Sequence, residues 1–152
     1  MSDFRHPEGG LEIRDIERFI TEFESCALPK ERWTHRAHLT VGLWYLSRHP
    51  HEEATEMIRT GIQRFNEAKG VKQTNDGGYH ETITRFYIWV IADFLAGADR
   101  GRPLIELAEQ LFAQCGDKGL PLRYWTKARL TSWEARTGWV APDLKELESE
   151  TA

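Results

Sequence analysis

The stretch K-E-R-W-T-H-R-A-H-L-T-V-G-L-W-Y-L-S, residues 30–47, is apolar on nearly every side when it is drawn as a helix. A helix that is hydrophobic all round must be covered by other helices, so this segment is expected to be the central helix of the fold. Its two histidines, His35 and His38, are three residues apart and therefore share one helix face. Because a buried imidazole without a partner is destabilising, each is expected to have a hydrogen-bond partner or a metal ion.

Apolar residues in the rest of the chain recur every three or four positions, which is the spacing of one-sided helices. No stretch alternates between polar and apolar residues as a strand requires. We therefore predict an all-α fold, a compact single-domain bundle of five to seven helices. The chain is treated as one domain over 1–152, with a loose lead-in over 1–10 and a short acidic tail over 142–152. The other helices are expected at about 11–28, 52–69, 80–96, 103–115 and 121–137.

The composition is typical of a soluble cytoplasmic protein. The 152 residues include 24 acidic and 20 basic side chains, so the formal net charge is −4. This balance argues against nucleic acid and against an anionic membrane surface as partners, since both attract basic faces. No apolar run reaches the roughly 18 residues that a membrane span needs, and the N-terminus does not resemble a signal peptide. Cys26 and Cys115 lie far apart and are expected to be reduced thiols.

A third histidine stands at the start of a different helix, where the flexible sequence Gly77–Tyr79 leads into His80 and Glu81. Two imidazoles on one helix and a third from elsewhere are typical ligands of a divalent metal ion that keeps coordination positions open. We predict that His35, His38 and His80 bind one such ion, with Zn, Fe, Mn and Cu not distinguished. Glu81 is predicted either as a fourth ligand or as the general base that acts on metal-bound water.

Each of these residues also has a structural interpretation. Without a metal ion, one histidine of the central helix would be buried and hydrogen-bonded to a neighbour, and the other would lie near the surface. His80 would then be a polar residue at a helix start. Glu81 would be a first-turn carboxylate, favoured by the helix dipole and by Arg85 four residues later.

Residues on neighbouring helix faces complete the predicted site. Tyr45 and Thr84 join Glu81 as candidate catalytic residues, because they continue the faces that carry His38 and His80. A small-molecule substrate is expected to contact aromatic and basic side chains, although a solvated basic face is the favoured explanation for the last helix. The candidate substrate-binding residues are Tyr87, Arg123, Trp125 and Lys127.

Several common motifs are missing from the sequence. It contains no glycine-rich phosphate-binding loop, no HExxH zinc motif and no serine or cysteine in a nucleophile motif. These absences argue against nucleotide-phosphate binding and against catalysis by a covalent nucleophile.

Three segments resemble a group of small bacterial helical proteins of uncharacterised function. They are W-T-H-R-A-H-L at 33–39, G-Y-H-E-T-I-T-R-F at 78–86 and W-V-A-P-D-L at 139–144. The resemblance covers most of the chain and implies no named activity, substrate or metal. Histidines from separate helices also look like those of DinB-type metal-dependent bundles, but their spacing differs, so no residue role is carried over.

The function predicted from the sequence is a metal-dependent enzyme that acts on a small organic substrate. The chemistry would be hydrolytic or lyase-type with zinc, and oxidative with iron, manganese or copper. Two alternatives stay open at this point. One is a non-catalytic helical module that binds a small ligand, and the other is a metal-free enzyme that uses histidine and glutamate as acid and base. An oligomer is possible, but the sequence does not argue for one.

Overall fold

The computed structural model describes residues 13–148, which form seven α-helices and two 3₁₀ turns and contain no strand. The all-α prediction is confirmed, and the number of α-helices lies within the expected range. The predicted lead-in over 1–10 and the end of the predicted tail, 149–152, lie outside the described residues. The helices are α1 (Ile13–Glu24), α2 (His35–Leu46), α3 (His51–Ala68), α4 (Glu81–Gly97), α5 (Leu104–Cys115), α6 (Lys127–Leu130) and α7 (Trp133–Thr137).

Helix α2 lies at the centre of the fold, as its all-round apolar sequence predicts. It packs against α1, α3, α4 and α5. Eight of its twelve residues are buried, and they point toward several neighbours rather than along one stripe. Among the described helices, none combines the length and the apolar character that crossing a membrane demands.

The start of α2 differs from the sequence prediction. We expected one helix from residue 30, but Lys30–Arg32 form a 3₁₀ turn and α2 begins only at His35. Thr34 is the reason, because its backbone is extended and its side-chain oxygen accepts a hydrogen bond from the Ala37 N–H at 3.2 Å. This is the geometry of an N-cap, which begins a new helix. His35 and His38 therefore lie in the first turn of α2.

The predicted helix over 121–137 is also broken. A 3₁₀ turn at Leu120–Arg123 is followed by the two short helices α6 and α7. Thr126 and Ser132 each cap a new start, since their side-chain oxygens accept from the N–H groups of Arg129 and Ala135. Two local caps thus override the helical spacing of the apolar residues in this segment.

The residues after α7 pack back onto α6 and the turn before it. The Leu144 N–H donates to the Tyr124 carbonyl at 2.8 Å. The Asp143 carboxylate accepts from both the N–H and the hydroxyl of Thr126, at 2.8 and 2.7 Å. The start of the predicted tail is therefore docked against the segment 124–126.

Candidate functional site: a two-lobed cavity at His38

The first turn of α2 borders a cavity with two adjoining lobes. The apolar lobe, of about 370 Å³, lies between α2, α3 and α4, and five isoleucines of α3 and α4 line it. The polar lobe, of about 450 Å³, extends toward residues 76–80 and α7. Both volumes suit a small organic ligand. The lobes share the lining residues Trp33, His38, Ile62, Ile83 and Thr84.

His38 lies on the boundary between the lobes and is held in one orientation. One ring nitrogen, Nδ1, is 2.7 Å from the Thr34 carbonyl oxygen. A carbonyl only accepts, so Nδ1 carries the proton and Nε2 keeps its lone pair. The Trp33 ring covers the imidazole, with 3.8 Å between the two ring centroids. Within residues 13–148, Nε2 has no hydrogen-bond partner, so it is available to a ligand.

The imidazole of His38 is neutral at neutral pH. Its side chain is exposed where it borders the cavity, and the protein packed around the ring partly desolvates it. This desolvation lowers the pKa of His38 to about 4, and the nearby His35 and Lys118 also lower it, against the raising effect of the Thr34 carbonyl. A neutral ring with a free lone pair acts as a hydrogen-bond acceptor.

His35 lines the apolar lobe on the same side as His38. Its Nε2 donates to the Cys115 carbonyl at 3.3 Å, and its ring meets the edge of Tyr87 with 5.1 Å between centroids. Burial lowers the pKa of His35, against the raising effect of the Cys115 carbonyl. This ring is therefore also neutral and leaves Nδ1 without a described partner.

His80 borders the polar lobe, but both of its ring nitrogens bind backbone groups. Nδ1 accepts from the Ile83 N–H at 3.1 Å and so caps α4. Nε2 donates to the Leu130 carbonyl at 2.8 Å, at the end of α6. Two bonds of this kind leave no lone pair for a metal ion.

The described residues therefore do not fit the predicted three-histidine metal centre. Among residues 13–148, no group of three histidine, cysteine, aspartate or glutamate side chains is placed to hold an ion. The structure brings His35 and His38 to one cavity, whereas His80 is engaged by the backbone.

Glu81 belongs to a separate, buried ion-pair network. Its Oε1 accepts from the Tyr79 hydroxyl at 2.6 Å and from the Arg59 Nε at 3.1 Å. Arg59 also donates to the exposed Glu56 at 2.6 Å. Glu81 lines neither lobe, and its cationic partner is Arg59 on α3 rather than the Arg85 suggested by helical spacing.

We expect Glu81→Gln to lower the free energy of unfolding by about 1 to 2 kcal/mol, because two bonds to a buried charged acceptor become bonds to a neutral one. Glu56→Gln is the matched control, since Glu56 pairs with the same arginine in solvent and should change stability by less than about 0.5 kcal/mol. Urea denaturation measures both values. A stable Glu81→Gln protein that loses ligand binding would contradict this structural role.

The remaining predicted residues divide into two groups. Thr84 lines both lobes and Tyr87 lines the apolar lobe, with its hydroxyl donating to the Asp117 carbonyl at 3.3 Å. Four others line neither lobe. The Tyr45 hydroxyl donates to the Glu24 carboxylate, Trp125 is fully buried, and both Arg123 and Lys127 are exposed on the surface.

Trp33 lines the cavity, as a possible pocket wall among the tryptophans, whereas Lys118 and Arg136 were not among the candidate residues. Trp33, directly before the N-cap of α2, folds back over His38 because the chain is extended there. Lys118 comes from the turn after α5, and Arg136 from the last turn of α7. The position of Trp33 next to the histidine pair was a usable local signal. No local pattern marks the other two, since only the packing of α5 and α7 brings them here.

Comparison of the chain with protein-family models, with curated proteins and with solved structures finds no match, so the cavity itself carries the functional argument.

Proposed function

We propose that this protein binds a small organic molecule in the two-lobed cavity, with the neutral imidazole of His38 accepting a hydrogen bond from it. The observation that carries the proposal is the position of His38, whose Nδ1 is engaged by Thr34 while Nε2 borders both lobes without a partner in the described chain. This corresponds to the small-ligand module among the alternatives left open by the sequence.

The basicity of His38 favours binding over acid–base catalysis. The lowered pKa keeps the ring in its neutral, hydrogen-bond-accepting form at pH 7. An effective general base has a pKa near the working pH, and desolvation moves the pKa of His38 away from that range. As an acceptor of a hydroxyl or N–H group it contributes about 1 kcal/mol to affinity.

The apolar lobe supplies the larger share of the binding energy. Its isoleucines and Trp33 would cover a phenyl-sized group, which buries on the order of 100 Å² and contributes about 2 to 3 kcal/mol. The absence of a side chain at Gly42 lets Ile91 pack against the α2 backbone in the wall of this lobe, because a Cβ there would lie 2.5 Å from Ile91 Cδ1. A larger side chain at position 42 must therefore displace Ile91 or occupy the lobe.

We test the proposal with 4-phenylbutan-2-ol, an apolar alcohol that can donate to Nε2. We expect a dissociation constant on the order of 1 to 10 mM by isothermal titration calorimetry, since the two contributions together amount to about 3 to 4 kcal/mol. Gly42→Leu should weaken binding at least tenfold by filling the apolar lobe. Gly101→Leu, the same change in an exposed loop, is the control and should leave binding unchanged. Circular dichroism checks that both variants are folded.

The role of His38 is tested separately with the methyl ether of the same alcohol, which cannot donate a hydrogen bond. His38→Leu should weaken binding of the alcohol about fivefold and leave binding of the ether nearly unchanged. Equal binding of the alcohol by wild type and by a folded Gly42→Leu variant would reject the cavity as a ligand site.

The metal-dependent enzyme predicted from the sequence is the second candidate. The observation that favours it is that His35 Nδ1 and His38 Nε2, on the same lobe, are both without a partner among residues 13–148. Titration with Zn²⁺ and Mn²⁺ tests it. Stoichiometric binding that is lost in His38→Ala but kept in His80→Ala would support an ion held by this pair. No binding would favour the metal-free site.

A further inference from the structure

The side chains that line the cavity have a charge opposite to that of the chain as a whole. The formal net charge of the protein is −4. The two lobes are nevertheless lined by three cationic side chains, Lys30, Lys118 and Arg136, and by one carboxylate, Asp76. With its histidines neutral, the cavity wall is therefore positive, and a positive concave surface favours an anionic ligand.

Arg136 is the most unusual of these cations because its residue is only 8% exposed. Its Nη1 donates to the carbonyls of Gly77 and Gly78 at 3.0 and 3.1 Å, and more weakly to that of Tyr79 at 3.4 Å. Its Nε is buried and has no hydrogen-bond partner. Within residues 13–148, carbonyl groups rather than a carboxylate surround this guanidinium.

Holding the 77–79 segment does not explain a buried charge at this position. The neutral side chain of Gln73 already bridges the same two parts of the chain, since its Nε2 donates to the carbonyls of Tyr79 and Arg136 at 3.0 and 3.2 Å. A buried cation without a counter-ion is destabilised by desolvation, whereas a neutral donor could make the same contacts. An anion in the polar lobe would compensate the charge.

We propose that the ligand of this cavity is a small organic carboxylate whose apolar part fills the apolar lobe and whose carboxylate lies in the polar lobe near Arg136 and Lys30. This inference rests on the proposed function and adds the chemical class of the ligand. Arginine and lysine bind carboxylates through charge-assisted hydrogen bonds, which are stronger than neutral ones. The five isoleucines of the apolar lobe exclude a ligand that is polar throughout.

The test compares three ligands that share one skeleton and one hydroxyl and differ in the terminal group. They are 4-phenylbutan-2-ol (neutral), 2-hydroxy-4-phenylbutanoate (anionic) and 1-amino-4-phenylbutan-2-ol (cationic). We expect the carboxylate to bind at least tenfold more tightly than the alcohol, and the amine to bind more weakly than the alcohol. Raising the salt concentration should reduce the advantage of the carboxylate.

Substitutions of the cationic residues test which side chains cause the carboxylate preference. Arg136→Gln should remove most of the affinity advantage of the carboxylate over the alcohol. Lys30→Met, at an exposed position where the core stays intact, should reduce this advantage about threefold even where Arg136→Gln fails to fold. Lys145→Met removes a lysine outside both lobes and should leave the advantage unchanged.

The outcomes separate this inference from the function it rests on. Equal affinities for the three ligands, or tighter binding of the amine, would overturn the inference and leave the small-molecule site standing. Binding of none of them, or binding that Gly42→Leu does not weaken, would overturn both. A carboxylate preference that Lys30→Met leaves intact would overturn the assignment of the charge to the polar lobe.

Discussion

Replacing Trp125 with alanine is expected to lower the free energy of unfolding by about 3 to 5 kcal/mol. The indole is fully buried and meets the ring of Phe86 edge to face, with 5.3 Å between centroids. Its Nε1 donates to the Val140 carbonyl at 3.0 Å, so the side chain also holds the segment after α7. Truncation leaves a large cavity and an unpaired carbonyl, and both effects destabilise. Urea denaturation followed by circular dichroism measures the change.

Trp133→Ala is the matched control for this measurement. Trp133 is 47% exposed at the start of α7, so its removal should change stability by less than about 1 kcal/mol. The sequence predicts Trp125 as a candidate substrate-binding residue. A Trp125→Ala protein of unchanged stability that no longer binds the phenylbutanol ligand would restore that role.

Replacing His80 with alanine is expected to lower the free energy of unfolding by about 2 to 3 kcal/mol. The side chain makes two buried hydrogen bonds, one that caps α4 and one that ties α4 to the end of α6. Loss of the cap contributes about 1 kcal/mol, and the unpaired Leu130 carbonyl contributes the rest. His80→Asn should recover about half of the loss, because asparagine is also a good N-cap.

The metal dependence of this loss distinguishes two roles for His80. The measurement is made in excess EDTA and repeated with Zn²⁺. A structural histidine gives the same loss in both conditions. A loss that appears only with Zn²⁺ would show that His80 stabilises the fold as a metal ligand, as the sequence analysis predicted, because an ion that binds only the folded state adds to its stability.

Much of the fold was predictable because its signals are local. The apolar spacing predicts α3, α4 and α5 to within one or two residues of their observed bounds. The all-round apolar character of residues 35–46 places α2 at the centre before any contact is known. The predicted bounds were wrong for two helices, over 30–47 and 121–137. In each, a threonine or serine caps a new helix start inside an apolar pattern. There the local hydrogen bond of the cap overrides the periodicity.

The candidate site was only partly predictable. His35 and His38 reach one cavity because helical geometry alone makes them neighbours. Thr84 also reaches this cavity, through a face of α4 that helical spacing marks. Glu81 lies away from the cavity that the histidines border, because adjacent residues at a helix start point in different directions. Its partner Arg59 lies 22 positions earlier in the chain, so spacing within one helix does not indicate this contact.

The amino-acid sequence by itself determined the helical class, the central position of α2 and the shared helix face of His35 and His38, since each follows from residue types and spacing within one helix. Only the tertiary structure decided which ring nitrogens stay free and which cations face the cavity. The Leu130 carbonyl that engages His80 and the Gly77 carbonyl that engages Arg136 lie 50 and 59 positions away from these side chains. Spacing along the chain encodes no such contact, because helix packing sets the distance between segments that are remote in sequence.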